Sequence, residues 1–226
     1  MNKKEKQLII SIGTGRSGSV SLSQFLSHQN SMRVLHEGKI KENGMRKLIK
    51  WEDDEQELFS WINYLENWNS DNKYFGDTGM YYLPYVNQII ERFPNVKVIG
   101  LERNKEAVIN SYLNKTKGRN HWYKHNGEQW EKDDKWDPCY PKYNEKDKRK
   151  ALNLYWEDYK KTSNTLMNEF PENVRVWAIE EFNTENGKNE ILDFIGYTFD
   201  RDASSDYKLN QIKKVSFLDK LKKRWF

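Results

Sequence analysis

The sequence predicts an α/β fold of three layers, a central parallel sheet with helices on both faces. Two observations predict it: short apolar runs alternate with amphipathic stretches along the chain, and a turn rich in glycine and serine follows the first apolar run. A third sets the scale, since 226 residues suit one domain with a real core and would cramp two.

Taken in order, "QLIISI" (7–12) is a buried strand and Val20 to His28 the helix after it. "RVLHE" (33–37) is a second strand, and Met45 to Trp68 a helical stretch carrying Leu48, Leu58, Trp61, Ile62, Leu65 and Trp68. "KYFGDT" is a short strand. Pro84 to Phe93 is a helix opened by proline, and "VKVIGLE" is a further buried strand. A helix over "NKEAVINSYL", a long amphipathic helix from Asp147 to Phe170, the strand "VRVWAI" and a short helix "EILDFIG" stopped by Gly196 complete the pattern. One region breaks it. Residues 114–150 contain no Leu, Ile, Val, Met or Ala, yet Trp122, Tyr123, Trp130, Trp136, Tyr140 and Tyr143 stand there among charges. This composition predicts a solvated insertion or a lid over a site, outside the core.

Hydrophobic residues make up only 36% of the chain, but 9 Trp, 13 Tyr and 10 Phe supply enough apolar surface for a core. A net charge of +4 is too mild for a protein that tracks a nucleic-acid backbone over a broad surface. The single cysteine, Cys139, cannot form an internal disulfide, and four histidines offer no zinc-ligand spacing, so no metal is expected. No apolar run reaches the length of a membrane span and the start lacks the pattern of a secretory leader; the expectation is a cytoplasmic protein with no membrane span. Oligomeric state leaves no sign in the sequence.

The turn after the first strand is "SIGTGRSGSVSL" (11–22). Glycines there let the chain curl so that the free N–H groups at a helix start converge on an anion. Gly13 and Gly18 have the separation of the two glycines in G-x-x-x-x-G-K-[ST], but Ser19 replaces the lysine and Val20 the magnesium-binding hydroxyl. A metal-assisted kinase would be badly equipped. What the loop carries instead is Arg16 with Ser17, Ser19 and Ser21 nearby, a cradle for an anion that needs a cation and no metal ion. Sulfuryl transfer meets that description, because one arginine and converging N–H donors can stabilise a leaving phosphate.

"GTGRSGSVSL" resembles the 5′-phosphosulfate loop of the sulfotransferases that use 3′-phosphoadenosine 5′-phosphosulfate (PAPS), with the Arg-Ser-Gly form similar to the tyrosylprotein type. The resemblance implies a P-loop-like fold and a donor cradle made by Gly15, Arg16, Ser17, Gly18, Ser19 and Val20. A second stretch, "LERNKEAVINSY", sets Arg103 and Ser111 eight positions apart at a strand end and on the next helix. In the family such a pair grips the 3′-phosphate of PAPS. Lys105 departs from the family pattern near the helix start.

An acceptor hydroxyl or amine must lose a proton, which calls for a carboxylate or imidazole. "RVLHEG" ends the second strand with His36 and Glu37, and alternation along a strand predicts that only one faces the site. The resemblance selects Glu37 as the base and leaves His36 second. "GDTGMYYLPY" stands where many glycan-type members have Lys-Thr-Pro, so Asp77 replaces a lysine; Asp77, Thr78 and Tyr81 become acceptor-side candidates, with Trp122 of the insertion as a stacking surface for a small-molecule or glycan acceptor. The alternatives are a nucleotide binder or kinase without sulfuryl transfer, and a single-stranded nucleic-acid module using the same aromatic rings. The tail "VSFLDKLKKRWF" has apolar residues Val215, Leu218, Leu221 and Trp225 at helical spacing, for core docking or contact with a membrane surface.

Overall fold

The structure, a computed structural model, describes residues 6–40, 42, 44–68, 71–126 and 134–204. Five strands form one parallel sheet: β1 (Gln7–Gly13), β2 (Met32–His36), β3 (Tyr74–Thr78), β4 (Lys97–Glu102) and β5 (Val174–Ala178). Their order is β2-β3-β1-β4-β5, with every adjacent pair parallel. β1 is central and buried on both sides because its side chains alternate: Leu8, Ile10 and Ile12 enter one core, Ile9 the other.

The first core is covered by α2 (Glu55–Trp68), α3 (Val86–Arg92), α4 (Lys105–Lys115) and α5 (Lys148–Glu169). The second is covered by α1 (Ser19–His28), the four-residue α6 (Ile179–Phe182) and α7 (Glu185–Phe194). This is the three-layer α/β arrangement the alternating pattern predicts. Because the chain leaves β1 toward β2 and later crosses to β4 on its other side, the loops at the carboxyl ends part over β1 and open a crevice there.

Three expectations differ from what is found. The helix expected from Met45 begins only at Glu55. Residues 45–54 instead fold back beside β2: Lys39 and Arg46 form an isolated antiparallel bridge, Trp51 donates its N–H to the Pro138 carbonyl, and Asp53 takes a left-handed φ of 55° that no helix tolerates. Leu48 and buried Ile49 still pack into the first core, so the apolar spacing was real while the helix was not. Second, the segment around Pro84 is a 3₁₀ turn over Met80–Tyr85, and the α-helix starts after it.

Third, the described part of 114–150 is not outside the core. Trp122 is fully buried, with Tyr140 and Cys139 close behind, and its indole meets Tyr112 and Tyr140 at 4.7 Å and Tyr155 at 5.9 Å between ring centroids. Aromatic rings alone build this piece of core, which a search for aliphatic residues passes over. Trp122→Ala should lower unfolding stability by about 3 kcal/mol, read from the denaturant midpoint; a shift below a quarter of that would mean the ring is only covered, without being packed.

Among the described residues no helix is long and apolar enough to cross a membrane. Trp130 and the tail with Val215, Leu218, Leu221 and Trp225 lie outside the described residues.

Candidate active site

The carboxyl ends of β1, β2, β4 and β5 feed one cleft of about 910 Å³. Its floor is the glycine loop. Gly15, Arg16 and Gly18 have φ of 69°, 56° and 106°, a run of left-handed residues that doubles the chain back between β1 and α1. A side chain at Gly15 would bring a Cβ within 2.2 Å of the Tyr112 hydroxyl, which itself donates to the Thr14 carbonyl at 2.7 Å. Tyr112 of α4 thus braces the loop from below. The backbone N–H groups of Gly15 to Gly18 meet no acceptor among the described residues. A short row of such donors at the mouth of a helix suits an oxyanion.

Arg103 leaves the end of β4 and donates Nη1–H to the Arg16 carbonyl at 2.9 Å, while Arg16 donates Nε–H to the Ser111 hydroxyl of α4 at 3.0 Å. Three residues separated by 87 and 95 positions therefore meet at one lip of the cleft, which carries two guanidinium groups. α4 can bring Ser111 there because Asn104 caps it, accepting the Ala107 N–H, and so fixes how the helix leaves the strand. Lys105 opens the helix without disturbing that cap.

Glu37 and His36 occupy the opposite part of the cleft. Both line it, against the expectation that alternation would send one away. The reason is that β2 ends at His36 and Glu37 adopts a left-handed φ of 50°, which swings its side chain back to the same side. Gly38 continues the turn at φ 62°, and a Cβ there would strike the Lys47 carbonyl at 1.8 Å. His36 Nε2 sits 3.0 Å from the Ser19 hydroxyl, its Nδ1 3.6 Å from the Glu37 carboxylate. Arg46 donates to that carboxylate at 3.4 Å and lies over the Trp136 ring.

Burial pushes the Glu37 carboxyl from 4.5 up to about 7; Arg46 opposes the rise and buried Asp77 adds to it. Burial, with Arg46 and Arg16 nearby, takes His36 down to about 4. Near neutral pH the pair thus holds a neutral imidazole beside a carboxyl poised to gain or lose a proton.

The four acceptor-side candidates do not reach the cleft. Asp77, Thr78, Tyr81 and Trp122 are fully buried. The Thr78 hydroxyl donates toward the Ser19 and Leu35 carbonyls, and Tyr81 lies under the turn after β2. None of them lines the cleft. The wall beyond Glu37 consists of Arg46, Arg119, His121, Trp136 and Tyr140. His121 stacks on Tyr140 at 5.6 Å and 10°, and Asp134 bridges His121 and Arg119 at 2.8 Å each. Only the aromatic richness of the insertion signalled this wall; Arg46 was masked by the expected helix. At the far end Ile179, Glu180 and Asn183 line the cleft from α6 and its end.

Comparison with known proteins bears on this arrangement. The structure resembles the crystal structure of a sulfotransferase from Alicyclobacillus acidocaldarius with a TM-score of 0.52 at 16% identity, over 88% of this chain and 85% of that one. Among curated proteins, no sequence matches. The family model described as Sulfotransferase domain matches residues 8–198. That span runs from the first strand through the glycine loop, Glu37, Arg103 and Ser111 to the turn after the last helix, and the chain belongs to the sulfotransferase family.

Proposed function

We propose that this protein transfers a sulfuryl group from PAPS to a hydroxyl or amine acceptor by in-line displacement, with Glu37 as the base. The observation that carries the reading is the junction of Arg16, Arg103 and Ser111 beside unpartnered loop N–H groups, across the cleft from Glu37. The donor set fits such a ligand: two guanidinium groups for two separated phosphates, hydroxyls of Ser19 and Ser111, and backbone donors in a left-handed curl of Gly15, Arg16 and Gly18. When bound, PAPS supplies an electrophilic sulfur and a good leaving phosphate.

The loop from Gly15 to Val20 and Arg16 hold the 5′-phosphosulfate and neutralise the charge that grows on the leaving oxygen. Arg103 and Ser111 hold the 3′-phosphate. The acceptor oxygen or nitrogen attacks sulfur as its proton passes to the Glu37 carboxylate, and the bond from sulfur to the 5′-phosphate oxygen breaks. Neutral His36 orients Ser19 at the loop. Trp136, Tyr140 and His121 offer ring faces to a small-molecule or glycan acceptor, with Arg46 and Arg119 at its edges. We read the chain as one domain of this kind, and the buried, lone Cys139 as suited to a reducing, cytoplasmic setting.

Thermal unfolding with 3′-phosphoadenosine 5′-phosphate, ADP, and ATP plus magnesium tests the donor. At about a hundred times its dissociation constant the 3′-phosphorylated nucleotide should stabilise the fold by roughly 2.7 kcal/mol, and Arg103→Ala should abolish the shift. A shift with ATP and magnesium instead would overturn the reading in favour of a kinase. No shift with any nucleotide would favour the single-stranded nucleic-acid module.

A further inference from the structure

The lysine of many family members is replaced here by a carboxylate that never reaches the cleft. Asp77 is fully buried at the carboxyl end of β3, beside Leu35 of β2 in the sheet register. Its two oxygens accept the Gly38 N–H at 3.2 and 2.9 Å, and Oδ2 also accepts the hydroxyls of Tyr82 at 2.7 Å and Tyr81 at 3.2 Å. Among the described residues no lysine, arginine or histidine forms an ion pair with it. A buried carboxylate held by neutral donors alone is costly.

The Gly38 N–H belongs to the residue that follows Glu37, in the two-residue left-handed turn that swings Glu37 into the cleft. We propose that Asp77 is a positioning residue for Glu37: its carboxylate pins the turn that aims Glu37, and its charge, without a cationic partner among the described residues, governs how tightly Glu37 holds a proton. The proposal rests on Glu37 being the base. The titratable and charged groups whose field acts on Glu37 are Arg46 from the folded-back segment and His36 from β2, both in contact with it, then Arg16 from the glycine loop, Asp77 from β3, Tyr81 from the 3₁₀ turn, Tyr112 from α4, and Cys139 and Tyr140 from the insertion. Of the acids among them only Asp77 ionises near or below neutral pH, its carboxyl raised by burial to about 6. With Asp77 ionised, Glu37 must lose its proton against a neighbouring negative charge in a dry setting.

Asp77→Asn separates the two tasks, because the amide oxygen still accepts the Gly38 N–H while the charge is gone. The test is the carboxyl-carbon NMR titration of protein labelled at glutamate, with Glu37 assigned by its loss in Glu37→Gln. The midpoint of Glu37 should fall by about one pH unit in Asp77→Asn. It should fall less, in the same direction, in Tyr82→Phe, which removes the shortest donor to Asp77. An unchanged midpoint in Asp77→Asn overturns the proposal, and if that variant does not fold, an unchanged midpoint in Tyr82→Phe does so. The titration needs neither donor nor acceptor, so a shifted midpoint in a protein that binds no 3′-phosphorylated nucleotide would count against the proposed reaction and leave the positioning role standing.

Discussion

Glu37→Gln should lower the rate of sulfuryl transfer by about 10²–10⁴-fold and at the same time make the fold more stable at pH 8. Both effects come from one desolvated carboxyl. Its folded value of about 7 lies above its ordinary 4.5, so protonation favours the folded state. That stabilisation is fully present below 4.5 and is lost as pH rises through 7. At pH 8 the native protein therefore carries a buried charge that glutamine lacks, a difference on the order of 3 kcal/mol at most. His36 acts with the opposite sign: held at about 4 against an ordinary 6.5, it costs stability as pH falls through that window. In the native protein the two nearly offset, and Glu37→Gln should uncover the histidine, becoming less stable on acidification from pH 7 to 4. Denaturant unfolding at pH 8, 6 and 4.5 checks this. A variant less stable than the native protein at pH 8 would mean that Arg46 holds the carboxylate more strongly than burial opposes it. A variant with full activity would move the base to His36.

Arg16→Ala should lower kcat by about 10²–10³-fold, while the dissociation constant of 3′-phosphoadenosine 5′-phosphate rises by a smaller factor. In the proposed reaction charge on the leaving oxygen is greatest in the transition state, and the Arg16 guanidinium lining the cleft is the cation that would meet it. The substitution also frees Ser111 from its 3.0 Å contact, whereas the Arg103 bond goes to the Arg16 carbonyl and survives. Arg16→Lys should recover part of the rate, since a point charge replaces a fork. Equal losses in kcat and in nucleotide affinity would reduce Arg16 to a binding residue.

Much of this was legible before any coordinates. Every strand was, because parallel strands buried on both faces appear as unbroken apolar runs such as "QLIISI" and "VKVIGLE". The eight-residue spacing of Arg103 and Ser111 places both on one cleft, since the Asn104 cap fixes how α4 leaves β4. What failed was whatever depends on single backbone angles or on tertiary partners. Glu37 left the strand one residue early, by a left-handed φ that no periodicity announces. Residues 45–54 had helical spacing, but β2, Asp53 and Pro138 imposed another path. Asp77 was read as an acceptor-side residue because it stands in place of a lysine; the hydroxyls of Tyr81 and Tyr82 and the Gly38 N–H that it accepts account for its burial.

The aromatic block under the insertion has a kinetic meaning. Trp122, Tyr140 and Tyr155 join the wall of the cleft to Tyr112, which in turn holds the Thr14 carbonyl. Peeling that wall back would strip the support from the glycine loop, so the two are mechanically tied. Such a keystone ties the shape of the cleft on the side of Trp122 to the core, so in the proposed reaction acceptors would be sorted at that wall by size and charge rather than by a closing movement.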